Sequence, residues 1–115
     1  KIALNLSQCH SSKYYTSDRL AQLIGNGLLV LIDKKTKYGD FFNKDEIVTY
    51  SDINDLSKKI KKYSNNDVLR QKIAKKGRDK YFKFFNSTIV AEFIINKTFN
   101  INKKYFWEKK ANTKI

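Results

Sequence analysis

Cysteine occurs once, at Cys9, so no intrachain disulfide can form. Histidine also occurs once, at His10, and the two together make no Cys/His metal cluster. Proline is absent while lysine, asparagine and isoleucine are abundant, a balance that resembles AT-rich coding. No apolar run approaches the roughly 20 residues needed to span a bilayer. The opening Lys1-Ile2-Ala3-Leu4 carries neither an h-region nor a cleavage site of a signal peptide. Glycine-rich phosphate loops are missing, both the P-loop and GxGxxG. No two acidic residues stand at an obvious acid/base spacing, and serine, Cys9 and His10 do not assemble into a nucleophile with its base and orienter. The catalytic residues are therefore unknown from the chain itself. His10 is better read as a loop or packed histidine than as a base, and Cys9 as a small filler.

Negative charge is scarce: 11 acidic residues face 24 basic ones, a formal net charge of +13. Such a surface raises the local concentration of nucleic acid, anionic lipid or phosphorylated ligands, most strongly at low salt. Only Arg19, Arg70 and Arg78 are arginines, however, and no nucleic-acid-binding motif is present, so nucleic acid is disfavoured as a partner. A 41% hydrophobic fraction with 14% aromatics indicates a folded chain, and 115 residues suffice for one small domain with a modest core. The lone cysteine fits a reducing cytoplasm.

The stretch from Tyr14 to Ile32 organises the rest. Ser17 is a candidate N-cap, and Leu20, Leu23 and Ile24 share one helical face. Gly25-Asn26-Gly27 supplies residues that tolerate the left-handed turn ending a helix. Leu28 to Ile32 is then an apolar run of strand length, expected to be covered on both faces. Ile2 to Leu6 reads as a first strand and Glu46 to Tyr50 as a third. The Asp33–Lys44 loop is rich in Lys and Asp, and its Tyr38, Phe41 and Phe42 suggest one helical turn covering an edge of the core. Asp52 caps a following helix with Asp55 as a partial capping box. That helix carries the stripe Ile53, Leu56, Ile60 and Tyr63, with lysines outside. A further helix, about Val68 to Phe84, buries Leu69, Ile73, Gly77, Tyr81 and Phe84. Gly77 in its middle predicts close helix approach or a kink, because glycine there costs about 1 kcal/mol relative to alanine. The last helix, Thr88 to about Phe99, carries Val90, Phe93 and Ile94. From Asn100 onward a basic, aromatic tail is expected to dock on an upstream domain or to fray. The order of elements predicts an α/β layer fold with a small parallel sheet. Three strands leave exposed edges, so further strands are expected upstream and the chain is read as a C-terminal piece.

Chemistry concentrates at the start of the first helix. Thr16, Ser17 and Asp18 offer backbone amides and hydroxyls where a helix start attracts anions. Arg19 follows, the side chain suited to bidentate phosphate contact.

Three ordered pieces carry a resemblance: S-x-R-L-x-Q-L-x-x-x-G-x-x-V-L, then E-I-V-T-Y-S-D-I-N-D-L-x-x-K-I, then L-R-x-K-I-A-x-x-G-R-x-K-Y. Together, over about Ile2 to Asn96, they resemble the C-terminal part of group 1-type glycosyltransferases, in the branch that includes CgeB-like transferases. The resemblance implies a Rossmann-like three-layer half-domain of a GT-B enzyme, whose C-terminal domain holds the donor nucleotide. Domain bounds on this reading are 1–99 for the donor-binding domain and 100–115 for the tail. In relatives with paired glutamates, the second binds the ribose and the first meets the sugar. By position these fall on Gln22 and Tyr14, so both carboxylates are replaced. Diphosphate-binding amides fall near Thr16, Ser17 and Asp18, and Arg19 is placed to meet the same group. Implied partners are a nucleotide-diphosphate sugar, an unknown glycan or lipid-linked acceptor, and an N-terminal domain. No cofactor or metal is implied, and the expected place is the cytoplasm, with peripheral contact at the inner membrane face. The alternatives are a basic nucleic-acid-binding domain or a non-catalytic interaction domain.

Overall fold

The computed structural model describes residues 1–6, 13–15 and 17–111, with the side chains of 109–111 left aside. Strand β1 (Ile2–Asn5) leads to helix α1 (Asp18–Gly25) and strand β2 (Leu29–Asp33). Two 3₁₀ turns, Lys34–Thr36 and Tyr38–Asp40, precede strand β3 (Val48–Tyr50). Helices α2 (Ile53–Ser64), α3 (Asp67–Phe84), α4 (Ser87–Thr98) and α5 (Phe106–Ala111) complete the chain. The sheet has the order β1-β2-β3 and is parallel throughout, with Ile2 opposite Leu29 and Leu31 opposite Val48. This is the α/β, Rossmann-like half-domain that the sequence predicts.

The middle strand explains the layering. Side chains alternate across a strand, so Val30 and Ile32 face one way and Leu29 and Leu31 the other. Val30 and Ile32 join Leu20 and Ile24 of α1 with Phe41, Phe42 and Ile47. Leu29 and Leu31 pack with Val48 and with Leu56, Tyr63, Ile73 and Ala74 of α2 and α3. The four apolar β2 side chains, Leu29 to Ile32, are essentially shielded from water. Each such burial is worth about 1.5–3 kcal/mol, an upper bound set by the extended-chain reference. Phe41 and Phe42 belong to the core itself, where the sequence suggested a cover at its edge.

Local signals are obeyed at most helix ends. After α1, Gly27 adopts φ 71°, its N–H donates to Ile24 C=O (2.9 Å), and Leu28 N–H donates to Leu23 C=O (3.2 Å). These two bonds are a Schellman stop. Asp52 accepts from the amides of Asn54 (2.8 Å) and Asp55 (2.9 Å). Asp55 in turn accepts from Ser51 N–H at 3.0 Å, closing the box one residue before the cap. Gly77 meets its expected close approach: a Cβ there would lie 3.2 Å from the Glu46 carbonyl carbon, and nearer still to its oxygen.

Three packing expectations are corrected. Ile53 and Ile60 are exposed, because α2 meets its neighbours mainly through Leu56 and Tyr63. On α4, Val90 and Ile94 are exposed while Asn96 is buried. That helix is apolar on more than one side, so its spacing does not tell which side finds a partner. Within the described part of the tail, Tyr105, Phe106 and Trp107 pack on the chain's own surface. Phe106 stacks on Phe84 (4.4 Å between centroids) and Trp107 on Phe85 (5.6 Å). Asn96 Nδ2 donates to the buried Tyr105 hydroxyl at 2.6 Å. No helix among the described residues is long and apolar enough to cross a membrane.

Candidate functional site

In a parallel sheet the ends that receive ligands are the carboxyl ends of the strands, here Asn5, Asp33 and Tyr50. Two helices begin on that side. Helix α1 ends beside the start of β2, which pairs with Ile2, so its first turn lies toward the opposite, carboxyl edge. Helix α2 begins three residues after β3.

The two helix starts differ in how their positive end is filled. At α2, Asp52 and Asp55 occupy it. Hydrogen bonds from the Asp55 amide and the Ser51 hydroxyl hold the Asp52 carboxyl below the usual aspartate range. The Lys59 ammonium and the Ser51 amide do the same for Asp55. Two carboxylates there repel an external anion. At α1, Ser17 stands in the N-cap position with extended backbone (φ −97°, ψ 169°), yet contributes no side-chain cap bond to the helix. The capping role assigned to Ser17 is thus positional only. Leu20 N–H donates to Ser17 C=O at 3.1 Å.

Of the six expected site residues, the structure gathers four on the first turns of α1. Ser17, Asp18, Arg19 and Gln22 lie within six residues, the last three exposed. Gln22 Nε2 donates to Asp18 Oδ2 at 3.4 Å, so the first-turn carboxylate leans along the helix toward Gln22. Arg19 makes no ion pair among the described residues and reaches solvent. Thr16 lies outside the described residues, as do Cys9 and His10.

Tyr14 goes elsewhere. It holds φ 62°, a left-handed backbone that is unusual for an aromatic residue. Its N–H donates to Thr36 C=O (2.9 Å), and its hydroxyl donates to Asp40 Oδ2 (2.7 Å). Its ring centroid lies 4.7 Å from that of Phe41, and Lys13 Nζ sits over the Tyr14 ring, 4.7 Å from its centroid. The loop after β2 therefore fixes Tyr14, and a carboxylate, Asp40, stands beside the position where the resemblance implies a glutamate.

Sequence reasoning missed Asp40, Lys34, Lys37 and Asn5. Lys34 follows β2 directly, a placement at the carboxyl edge that the strand assignment alone could have flagged. Asn5, at the end of β1, is 2% exposed, and its Oδ1 accepts no hydrogen bond among the described residues. A polar residue closing a strand carries no sequence mark that separates it from a turn. Beside β3, Tyr50 has its phenol raised by burial and by the negative charge of Asp33.

No curated protein and no solved structure matches the chain. A family model described as glycosyl transferase-like matches residues 1–96, which contain all three strands, α1 to α3 and nearly all of α4. With most of its length so matched, and with the sheet and helices that its motifs predict, the chain belongs to the glycosyl transferase-like family.

Proposed function

We propose that this chain is the donor-binding domain of a metal-independent GT-B glycosyltransferase. It transfers a sugar from a nucleotide diphosphate to a glycan or lipid-linked acceptor. The observation that carries this reading is the contrast between the two helix starts. The start of α2 is closed by two aspartates, Asp52 and Asp55, whereas that of α1 combines one first-turn aspartate, Asp18, with Arg19, and its N-cap Ser17 makes no side-chain cap bond to the helix among the described residues. A diphosphate seated there would meet backbone amides and a guanidinium, which stabilise a departing phosphate charge without a metal. Gln22, one turn on, can both donate to and accept from ribose hydroxyls. Asp40, held by Tyr14, supplies a carboxylate in place of the missing glutamate. The acceptor and the catalytic base are assigned to an N-terminal domain, and the working place to the cytoplasm. Lysine-rich helices there would favour the anionic inner membrane face, where lipid-linked acceptors are met.

The test is a two-dimensional NMR titration with UDP and GDP at two salt concentrations, with and without EDTA. Expected are saturable shifts at Ser17 to Gln22 that survive moderate salt, ignore EDTA and disappear in Arg19→Ala. Diffuse shifts over the lysine helices that vanish with salt would reject the donor site in favour of charge alone.

A further inference from the structure

A cleft of about 640 Å³ lies at the outer edge of β3, between the 34–47 loop and α2. Its lining includes Asp40, whose carboxylate accepts from the Tyr14 hydroxyl, and no residue of α1. Its volume falls in the range that holds small ligands. Four lysines line it: Lys34, Lys37, Lys44 and Lys59. Lys59 is already engaged, donating to Thr49 C=O and to Asp55, each at 2.7 Å. The first bond occupies a backbone acceptor at the free edge of β3, so the cleft is not open for strand addition. Lys34, Lys37 and Lys44 are exposed and make no ion pair among the described residues.

The two acidic residues that follow Lys44 are engaged elsewhere. Asp45 and Glu46 are held on the α3 side by Lys76 and Lys80. Asp40 alone brings a carboxylate into the lining, and one of its oxygens accepts from Tyr14. The loop is set rather than slack: Lys37 N–H donates to Lys34 C=O (3.1 Å), and Asp40 N–H donates to Lys37 C=O (3.0 Å). Lys37 is held at φ 62° between the two turns. Three cations, a carboxylate, the Asn43 amide and the apolar wall formed by Phe42 and Tyr63 are therefore presented together. A carboxylate and an amide suit sugar hydroxyls, rings suit the C–H face of a pyranose, and the lysines require an anion.

We propose that this cleft binds an anionic saccharide, a sugar carrying a phosphate or a carboxylate. The inference goes beyond the donor reading: both use Asp40, but the lysines that select the anion line the cleft beside β3 and not the start of α1. The whole chain is titrated by NMR with glucose 6-phosphate, glucuronate, glucose and inorganic phosphate. Saturable shifts are expected at Lys34, Lys37, Asn43, Lys44 and Thr49. At least one of the two anionic sugars should bind about tenfold or more tightly than glucose or inorganic phosphate, and the tighter of the two identifies the anion. Lys37→Asn/Lys44→Gln, in which asparagine tolerates the left-handed backbone, should weaken binding about tenfold. Lys58→Gln/Lys61→Gln, with the same loss of charge on the exposed side of α2, should leave it unchanged. Equal binding of glucose or inorganic phosphate, equal loss in both double variants, or no saturable shift would overturn the proposal. UDP shifts at Ser17 to Gln22, read on the same sample, bear on the donor site alone, so failure of either site is told apart from failure of the other.

Discussion

Gly77→Ala would add a methyl group to α3 where the backbone of Glu46 already lies against the helix. The new carbon would fall 3.2 Å from the Glu46 carbonyl carbon and closer to its oxygen than any real Cβ approaches. Neither partner can yield locally. Gly77 sits in the middle of an 18-residue helix, and Glu46 precedes β3 with its side chain paired to Lys80 at 2.6 Å, both largely shielded. Glu46 Oε2 also accepts from the Asn43 backbone N–H, so moving it disturbs the loop that bounds the cleft. Overpacking of this kind costs about 1–3 kcal/mol, and contact with backbone rather than a flexible side chain places it at the upper end. Alanine returns about 1 kcal/mol of helix propensity. The net loss is about 2 kcal/mol, a large share of the roughly 5–15 kcal/mol that holds a small domain together. In urea the midpoint should fall with the slope unchanged, and the thermal midpoint should drop by roughly 10 °C. Chemical shifts should move at Asn43 to Ile47 more than at α1. A variant as stable as the parent, or more so, would refute the close-approach argument, since propensity alone would then decide.

Trp107→Ala should remove the ring that stacks on Phe85 and Tyr105 and meets Phe93 edge-on. Because the indole is only partly buried, the loss should be about 2–3 kcal/mol, below that of a fully buried tryptophan; an unchanged denaturation midpoint would show that the tail is not anchored through it. The start of α2 should weaken in acid. Asp52 and Asp55 titrate lower in the folded chain than in the unfolded one, so their stabilisation is present above the ordinary aspartate pKa, about 3.9, and is lost as pH falls through their folded values. Urea midpoints measured from pH 5 downward should fall more steeply for the parent than for Asp52→Asn/Asp55→Asn, and parallel curves would contradict the assignment.

The parts of the fold legible in the chain are those where one local rule had no competitor. Five consecutive apolar residues after a glycine turn signal a strand covered on both faces, and β2 takes in the last four of them. Asp52 followed by Asp55 marked a helix start by hydrogen-bonding chemistry that needs no tertiary contact. Gly77 marked a close approach, although its partner proved to be a loop backbone and not another helix. Periodicity failed where apolar residues outnumbered available neighbours. On α4 both sides of the helix are apolar, and the aromatic tail, not the sheet, selects the side that packs. The tail's own docking was invisible because it depends on Phe84, Phe85 and Phe93 being assembled first.

The site divides along the same line. The turn that gathers Ser17, Asp18, Arg19 and Gln22 is local, and spacing alone places them on one helix start. Tyr14 and Asp40 are 26 residues apart, joined by a hydrogen bond that no pattern encodes. Their pairing changes what the lost glutamates mean. A tyrosine in place of a carboxylate would by itself remove a hydroxyl acceptor from the site. A tyrosine whose hydroxyl donates to Asp40 orients a carboxylate supplied from the loop after β2 instead. Asp40 also lines the cleft, where Lys34, Lys37 and Lys44 make no ion pair among the described residues. Loss of the acidic pair is therefore compatible with a working saccharide-binding surface, provided that the loop stays in register. That register depends on two left-handed residues, Tyr14 and Lys37, and on the wall that Gly77 allows Glu46 to form.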